Sequence, residues 1–313
     1  MILNLIKEFT LNKRRNLFNK FIVYVILIGL ISSPLISFAK KSVVKLTILH
    51  TNDVHSRIEA FAANDNKNPG MGGFARRAAL IKKIKKEEKN VLLFDAGDIF
   101  QGTPYFNKYG GELELRLMSE MGYDAATIGN HEFDNGLEKL SKVLKYASFP
   151  FICSNYDFSN TPMNGKTIPY KVFTIDDIKV GVMGLGIELK GLVSTDLYGK
   201  TVYEDAAVAA ARTAYLLKKV IKCDLIICLS HLGLKYENDK ISDMSLAKQS
   251  KYIDVIIGGH THTPIDKPYR FRNSDNKEVI ICQVGSNGVK LGRLDFYFER
   301  KSKLKFAAHY TTK

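Results

Sequence analysis

Apolar, β-branched runs recur along the chain, and several stop abruptly at a short polar cluster. Val43 to Leu49 runs into His50-Thr51-Asn52-Asp53, and Val91-Leu92-Leu93-Phe94 into Asp95-Ala96-Gly97-Asp98. Ala125 to Ile128 ends at Gly129-Asn130-His131-Glu132-Phe133-Asp134. Asp224 to Leu229 ends at Ser230-His231, and Ile253 to Ile257 at Gly258-Gly259-His260-Thr261-His262. Short continuous apolar runs bounded by turn residues predict buried strands. Residues 74–89, Glu112 to Met121, Leu137 to Ala147 and residues 205–222 have helical spacing instead. Phe149 to Cys153 reads as a further strand, and Tyr170 to Ile175 with Ile178 to Leu185 as a hairpin across Asp176-Asp177. Val279 to Val284, Arg293 to Phe298 and Leu304 to Tyr310 complete the strands, while residues 63–73 and 155–168 read as polar loops. No internal repeat or low-complexity linker divides the chain, so a single mixed α/β domain is expected over residues 40–313.

The first 39 residues follow another pattern. Lys13-Arg14-Arg15 and Lys20 precede the apolar run Phe21 to Ile31, Ser32-Ser33-Pro34 interrupts it, and Ser37-Phe38-Ala39 supplies small residues for a signal peptidase. A signal peptide over residues 1–39 is expected, with cleavage after Ala39 and a periplasmic or otherwise extracytoplasmic destination. The alternative is an uncleaved signal anchor, the one membrane attachment that the sequence suggests. Arg14-Arg15-Asn16-Leu17-Phe18 faintly resembles a twin-arginine export signal.

Charge and cysteine content change the picture little. This leader contributes +4 of the formal net charge of +14, leaving +10 beyond Ala39. Lys82, Lys83, Lys85, Lys86 and Lys89 read as the solvated side of one helix. No basic stripe interleaved with aromatics accompanies the excess, so a nucleic-acid partner is not expected. The spacing of Cys153, Cys223, Cys228 and Cys282 is not that of a zinc knuckle. Buried free thiols are expected.

The polar clusters at the strand ends change it a great deal. In parallel α/β sheets such ends gather on one edge, where ligands bind. Asp53 and His55, Asp98, Asn130 and His131, His231, and His260 with His262 would meet there, and six of the seven histidines lie in these segments. Gly97, Gly129, Gly258 and Gly259 would let the backbone turn sharply. Asn130 offers a neutral oxygen to a metal, His131 can donate a proton, and Asp134 can fix the His131 ring in one tautomer. Two Asp, one Asn and four His, with no Cys, suit borderline ions such as Mn²⁺, Zn²⁺, Fe²⁺ or Co²⁺. Seven ligands are too many for one ion and sufficient for two bridged by a carboxylate about 3.5–4 Å apart. Two divalent ions against Asp53 and Asp98 leave a site of net charge about +2, suited to an anionic phosphate.

In order, Ile48 to His55, Asp95 to Thr103, Gly129 to Asp134, Ser230-His231 and Gly258 to His262 resemble the motifs of the calcineurin-like metallophosphoesterases. More closely, the chain resembles the catalytic domain of the bacterial 5'-nucleotidase, UDP-sugar hydrolase and 2',3'-cyclic-nucleotide phosphodiesterase group, over residues 44–300. The resemblance implies a four-layer α-β-β-α sandwich with two mixed sheets facing each other. It implies that Asp53, His55, Asp98 and His262 hold one divalent ion (Mn, Zn, Fe, Co or Mg). Asp98, Asn130, His231 and His260 would hold the other, with Asp98 bridging. His131, paired with Asp134, would contact the phosphate and the leaving oxygen, and Asn130 would also face the substrate.

The implied activity is metal-dependent hydrolysis of nucleotide phosphomonoesters, with 2',3'-cyclic nucleotides as further substrates. A nucleotide-sugar pyrophosphatase is the alternative enzyme. Members of the group usually continue into a second domain that clamps the nucleoside base, and this sequence stops at Lys313, where that domain would begin. Two expectations stay open: a separately encoded partner supplies nucleoside binding, or the chain acts alone on small phosphoesters. Tyr105 and Phe106 are candidates for substrate contact, with packing as the competing role.

Overall fold

The computed structural model describes residues 8, 10–17, 19–20 and 43–299, together with the backbone of residues 305–312. The chain divides into two units, Met1–Ser42 and Val43–Lys313. In the first, helix α1 covers residues 10–17. The apolar run Phe21 to Ile31 and the expected cleavage point at Ala39 lie outside the described residues. Among the described residues, no helix is long and apolar enough to cross a membrane.

The second unit begins with β1 (Val43–Thr51), α2 (Phe74–Glu87), β2 (Val91–Asp95), α3 (Pro104–Tyr109), α4 (Glu112–Met121), β3 (Ala125–Ala126) and α5 (Gly136–Val143). Then follow β4 (Phe151–Ile152), β5 (Tyr156–Asp157), β6 (Thr167–Ile168), β7 (Tyr170–Ile175), β8 (Ile178–Leu185), α6 (Thr195–Tyr198), β9 (Val202–Tyr203) and α7 (Ala206–Tyr215). It closes with β10 (Leu225–Ser230), α8 (Asp243–Gln249), β11 (Val255–Gly258), β12 (Tyr269–Arg272), β13 (Glu278–Cys282), β14 (Leu291–Glu299) and β15 (Lys305–Thr312).

One sheet has the order β15-β14-β1-β2-β3-β4-β6 and the other β12-β13-β11-β10-β8-β7, with β5 and β9 forming a separate pair. Both large sheets are mixed. β1 runs parallel to β2 and antiparallel to β14. β10 runs parallel to β8 and β11, while β7 is antiparallel to β8.

Side chains alternate across a strand, so each buried strand serves two cores. Leu46, Ile48, Leu92 and Phe94 from the first sheet meet Val180, Val182, Ile227, Leu229, Val255 and Ile257 from the second. Leu49 and Leu93, pointing the other way, pack with Ile81, Leu115, Met118 and Leu140 of α2, α4 and α5. Ile226, Cys228 and Ile256 pack with Ala210, Ala214, Leu246 and Ala247 of α7 and α8. The layers are therefore helix, sheet, sheet, helix. Phe94 is fully buried between the sheets, a placement that stabilises by about 1.5–3 kcal/mol relative to exposure.

The expected elements are present, with trimmed ends. Ala125 to Ile128 contributes a ladder only at Ala125–Ala126, because the chain turns there into the Gly129 cluster. The helix expected over 205–222 is α-helical only to Tyr215 and continues as a π-turn, Leu216–Val220. α3, α6, α8, β9 and β12, together with β5 and β6 inside the expected polar loop, are too short to show a readable apolar period. Lys89 lies beyond the end of α2, and Lys85 donates to Gly122 O at 2.6 Å rather than standing free in solvent. All four cysteines are buried free thiols.

Candidate metal centre

The polar clusters sit at the carboxyl ends of strands from both sheets, not along one sheet edge. Asp53, His55, Asp98, Asn130 and His131 follow β1, β2 and β3 of the first sheet. His231, His260 and His262 follow β10 and β11 of the second. Strand β1 ends at Thr51, whose hydroxyl donates to Asp95 Oδ2 at 2.6 Å, and Asp95 Oδ1 accepts the Gly97 N–H at 2.9 Å. These bonds tie the Asp53 loop to the Asp98 loop. Asp53 N–H donates to Gly97 O at 2.9 Å, and His55 N–H to Asp98 O at 3.1 Å.

Two groups of donor atoms result, Asp53, His55, Asp98 and His262 in one and Asp98, His231 and His260 in the other, each gathered within 4.8 Å. Asp98 belongs to both. Asn130 joins the second group, since its Oδ1 lies 2.8 Å from His260 Nδ1. Asp53, His55, Asp98, His260 and His262 all adopt positive φ, between 50° and 72°. Such backbone costs about 1–3 kcal/mol per residue and clusters at functional sites.

The donor chemistry fits a cation. His55 Nε2 and His262 Nε2 face each other at 2.9 Å, and Asp53 Oδ1 is 3.2 Å from His262 Nε2. His55 Nδ1 contacts Phe100 O at 3.3 Å, which directs the lone pair of Nε2 towards that meeting point. His231 Nδ1 donates to Ala96 O at 2.7 Å, which turns its Nε2 towards the cluster. That Nε2 is 3.0 Å from Asp98 Oδ2 yet makes no aligned hydrogen bond. Lone pairs converging with carboxylates inside a buried cluster are the arrangement a divalent ion satisfies.

The electrostatics of the cluster divide its four histidine donors, with His55 and His260 lowered and His231 and His262 raised. Burial pushes His55 below its usual range and His260 down to about 4, favouring the neutral ring that a metal needs. Burial opposes ionisation of Asp98, but His231, His131 and His55 around it hold its carboxyl well below the carboxylate range. Burial lowers His231, but Asp98 and Asp53 outweigh it and raise the ring to about 10, so in the metal-free cluster a cation must displace its second proton. His131 is raised by its hydrogen bond from Nδ1 to Asp134 Oδ2, 2.8 Å. The His131 side chain is one-third exposed and its ring centroid is 5.2 Å from that of His55.

The seven residues expected as metal ligands come together in this cluster, and His131 with Asp134 lies beside it. Gly97 has a positive φ of 89°, as expected. Gly129 and Gly258 serve space instead: a Cβ there would collide with Asp98 Oδ1 and with Asp243 Oδ2, respectively. Phe106 is buried and stacks on Phe100, and Tyr105 donates its hydroxyl to Glu59.

Glu132 was missed. It is 1% exposed and accepts four backbone N–H groups, from Gly129, Asp98, Ile99 and Phe100. Burial and the nearby Asp98 push its carboxyl up to about 7. Its signal was available in the sequence, an acid with no ligand or proton role amid a motif of chemical residues. Asn52 also escaped notice; it accepts from Val284 N and donates to Gly285 O and Asp53 Oδ2.

Comparisons with known proteins agree with this geometry. The profile of the calcineurin-like phosphoesterase family matches residues 46–264. The chain is 36% identical over 281 residues to the 5'-nucleotidase of Bos taurus, covering 82% of this chain and 47% of that protein. It is 34% identical over 289 residues to the trifunctional nucleotide phosphoesterase protein YfkN of Bacillus subtilis, covering 82% of this chain and 18% of that one. A 5'-nucleotidase precursor from Thermus thermophilus superposes with a TM-score of 0.77 at 32% identity, covering 86% of this chain and 54% of the other. The chain thus spans about half or less of the length of these relatives. With the fold, the donor cluster and the family profile in agreement, the chain belongs to the calcineurin-like phosphoesterase family.

Proposed function

We propose that this protein is a metal-dependent phosphoester hydrolase that releases phosphate from nucleotide monophosphates, with 2',3'-cyclic nucleotides as further substrates. The observation that carries the reading is the sharing of Asp98 between the two donor groups, which suits a pair of divalent ions. Asp53, His55, Asp98 and His262 would hold one ion, and Asp98, Asn130, His231 and His260 the other. Bound there, the ions would supply Lewis-acid activation of water and neutralisation of phosphoryl charge.

The remaining work falls to this chain's own side chains. Asp134 engages His131 Nδ1, which leaves Nε2 for the substrate. His131 Nε2 would donate a hydrogen bond to a phosphoryl oxygen and pass its proton to the departing ribose oxygen. The hydrogen bond to Asp134 raises His131 above its ordinary value and so favours the protonated ring. Asn130, adjacent to it, would orient the phosphate with its amide N–H. The basic, apolar leader would direct export, with residues 40–313 as the mature domain.

The test is phosphate release from AMP by residues 40–313, stripped of metal and reloaded with Mn²⁺, alongside 2',3'-cyclic AMP, UDP-glucose and an aryl phosphate. Saturable AMP hydrolysis supports a self-sufficient nucleotidase. Hydrolysis of the aryl phosphate alone would overturn the nucleotide specificity and point to a separate nucleoside-binding partner. UMP and glucose-1-phosphate from UDP-glucose would favour the pyrophosphatase. No hydrolysis with two ions bound would overturn the reading.

A further inference from the structure

Gln283 lies one residue past the end of β13, where its ladder with β11 stops at Cys282 opposite Ile257. It is fully buried. Its side-chain Nε2 donates to Gly259 O at 3.0 Å, just before His260. Its Oε1 accepts the Thr263 N–H, just after His262. Its own carbonyl accepts the Ile265 N–H at 2.9 Å. The amide therefore does what a further peptide of the sheet would do: it bonds a carbonyl on one side of the His260-Thr261-His262 turn and an N–H on the other. The segment after it grips the opposite loop. Val284 N–H donates to Asn52 Oδ1 at 2.9 Å, and Asn287 N–H donates to Asp53 O at 2.6 Å. Residues 283–287 thus join the Asp53 loop to the His262 turn.

The two histidines of that turn depend on this clasp unequally. His260 has anchors of its own, its N–H on Asp53 Oδ1 at 2.9 Å and its Nδ1 on Asn130 Oδ1 at 2.8 Å. His262 has a side chain 45% exposed, and its ring's hydrogen bond and ion pair go to His55 and Asp53, fellow members of its donor group. Its backbone φ of 53° is one an L-residue adopts at a cost, so the turn needs external restraint to persist.

We propose that Gln283 is a positioning residue that sets the affinity of the Asp53–His55–Asp98–His262 group for its ion, while the Asp98–His231–His260 group loads largely without it. The proposal rests on the reading that these groups hold two ions. Groups behind metal ligands typically govern affinity by about 10–100-fold. Gln283→Glu keeps the shape and the acceptor for Thr263 N–H, but loses the donor to Gly259 O. Gln283→Leu loses both.

The test is titration of the metal-free full chain and both variants with Mn²⁺, read by bound stoichiometry and by electron paramagnetic resonance. The expected wild type binds two Mn²⁺ with a spin-coupled spectrum. Gln283→Leu should retain one ion at near wild-type affinity, bind the second about 10–100-fold more weakly, and show an uncoupled six-line spectrum, while Gln283→Glu, which keeps the bond beside His262, should weaken the same ion less. A folded variant with two ions at wild-type affinity, or with both sites weakened equally, would overturn the role of Gln283 alone. Failure of Gln283→Glu to reach the wild-type circular dichroism spectrum would also overturn it, because a residue that only positions the turn leaves the fold standing. Fewer than two ions on the wild type would overturn the two-ion reading itself.

Discussion

Glu132 accepts the backbone N–H of Asp98 at 3.0 Å, so the carboxylate of one sequence motif fixes the main chain of another. The same side chain holds Gly129, Ile99 and Phe100 N–H groups. It locks the loop carrying the shared Asp98 against the turn carrying Asn130 and His131. A buried donor left unsatisfied costs about 1–3 kcal/mol. Glu132→Gln, which turns an NH2 group towards some of those donors, should lower stability by at least that amount and weaken Mn²⁺ binding about 10–100-fold. Thermal melting and a calorimetric Mn²⁺ titration check both, and wild-type values in the two experiments would remove Glu132 from this role.

Asp98 belongs to both donor groups. Asp98→Ala should therefore lose at least one ion per chain in elemental analysis of the purified protein. Two ions retained would refute the shared ligand.

His131 sits beside the donors without belonging to either group, and Asp134 holds its Nδ1 at 2.8 Å. His131→Ala should slow phosphate release about 10²–10⁴-fold, the usual worth of a general acid. Ion content should stay at the wild-type level. Asp134→Ala should produce a smaller loss in the same direction, and undiminished turnover in His131→Ala would exclude the ring from proton transfer.

Gly129 has no room for a side chain, because a Cβ would strike Asp98 Oδ1 and lie 2.8 Å from His231 Nε2. Overpacking of this kind costs about 1–3 kcal/mol. Gly129→Ala should lower the melting temperature and displace Asp98, with metal lost in proportion. A variant that melts and binds Mn²⁺ like the wild type would show that the turn has slack.

Away from the site, Arg293 Nη2 and Nε hold Asp295 at 2.9 and 3.0 Å, and Thr47 donates to the same carboxylate at 2.7 Å. Burial opposes ionisation of Asp295, but these bonds outweigh it and hold its carboxyl below the usual 3.8. A depressed acid stabilises the fold fully above its unfolded pKa, and the contribution fades as pH falls through the folded value. Melting of the metal-free protein should therefore drop steeply below pH 4. Asp295→Asn should cost about 1.5–3 kcal/mol at pH 7 and flatten that acid limb; an unchanged limb would place the titration elsewhere.

How far the sequence could be read depended on how local the signal was. The His131–Asp134 pair is three residues apart and was legible directly, since one turn of helix brings i and i+3 together. β7 and β8 were legible because their alternation and the Asp176-Asp177 turn are contiguous. β12, by contrast, is four residues long and mostly exposed, so its Tyr269-Arg270-Phe271-Arg272 alternation is too short to read, and it pairs with β13 through main-chain bonds and the Arg270–Glu278 ion pair. The bonding partners of Glu132 and Gln283 were invisible for a related reason. Their bonds go to peptide groups, 24 to 34 residues away in most cases, and peptide groups leave no mark on the identity of the residues they belong to.

The sequence by itself determined which chemistry is present: five apolar strands ending in clusters of Asp, Asn or His, with Gly97 at a positive φ and Gly129 and Gly258 where space is required. Strand burial and turn formation are set by residues close in the chain, so their pattern is written there. The motif resemblance also implied two facing sheets and a shared Asp98, and the tertiary structure has the clusters at strand ends of both sheets and Asp98 in both donor groups. The tertiary structure alone decided which buried amides and carboxylates hold the loops in place. Those outcomes depend on how the inner faces of two sheets pack, a sum over many distant contacts that no single stretch of sequence contains.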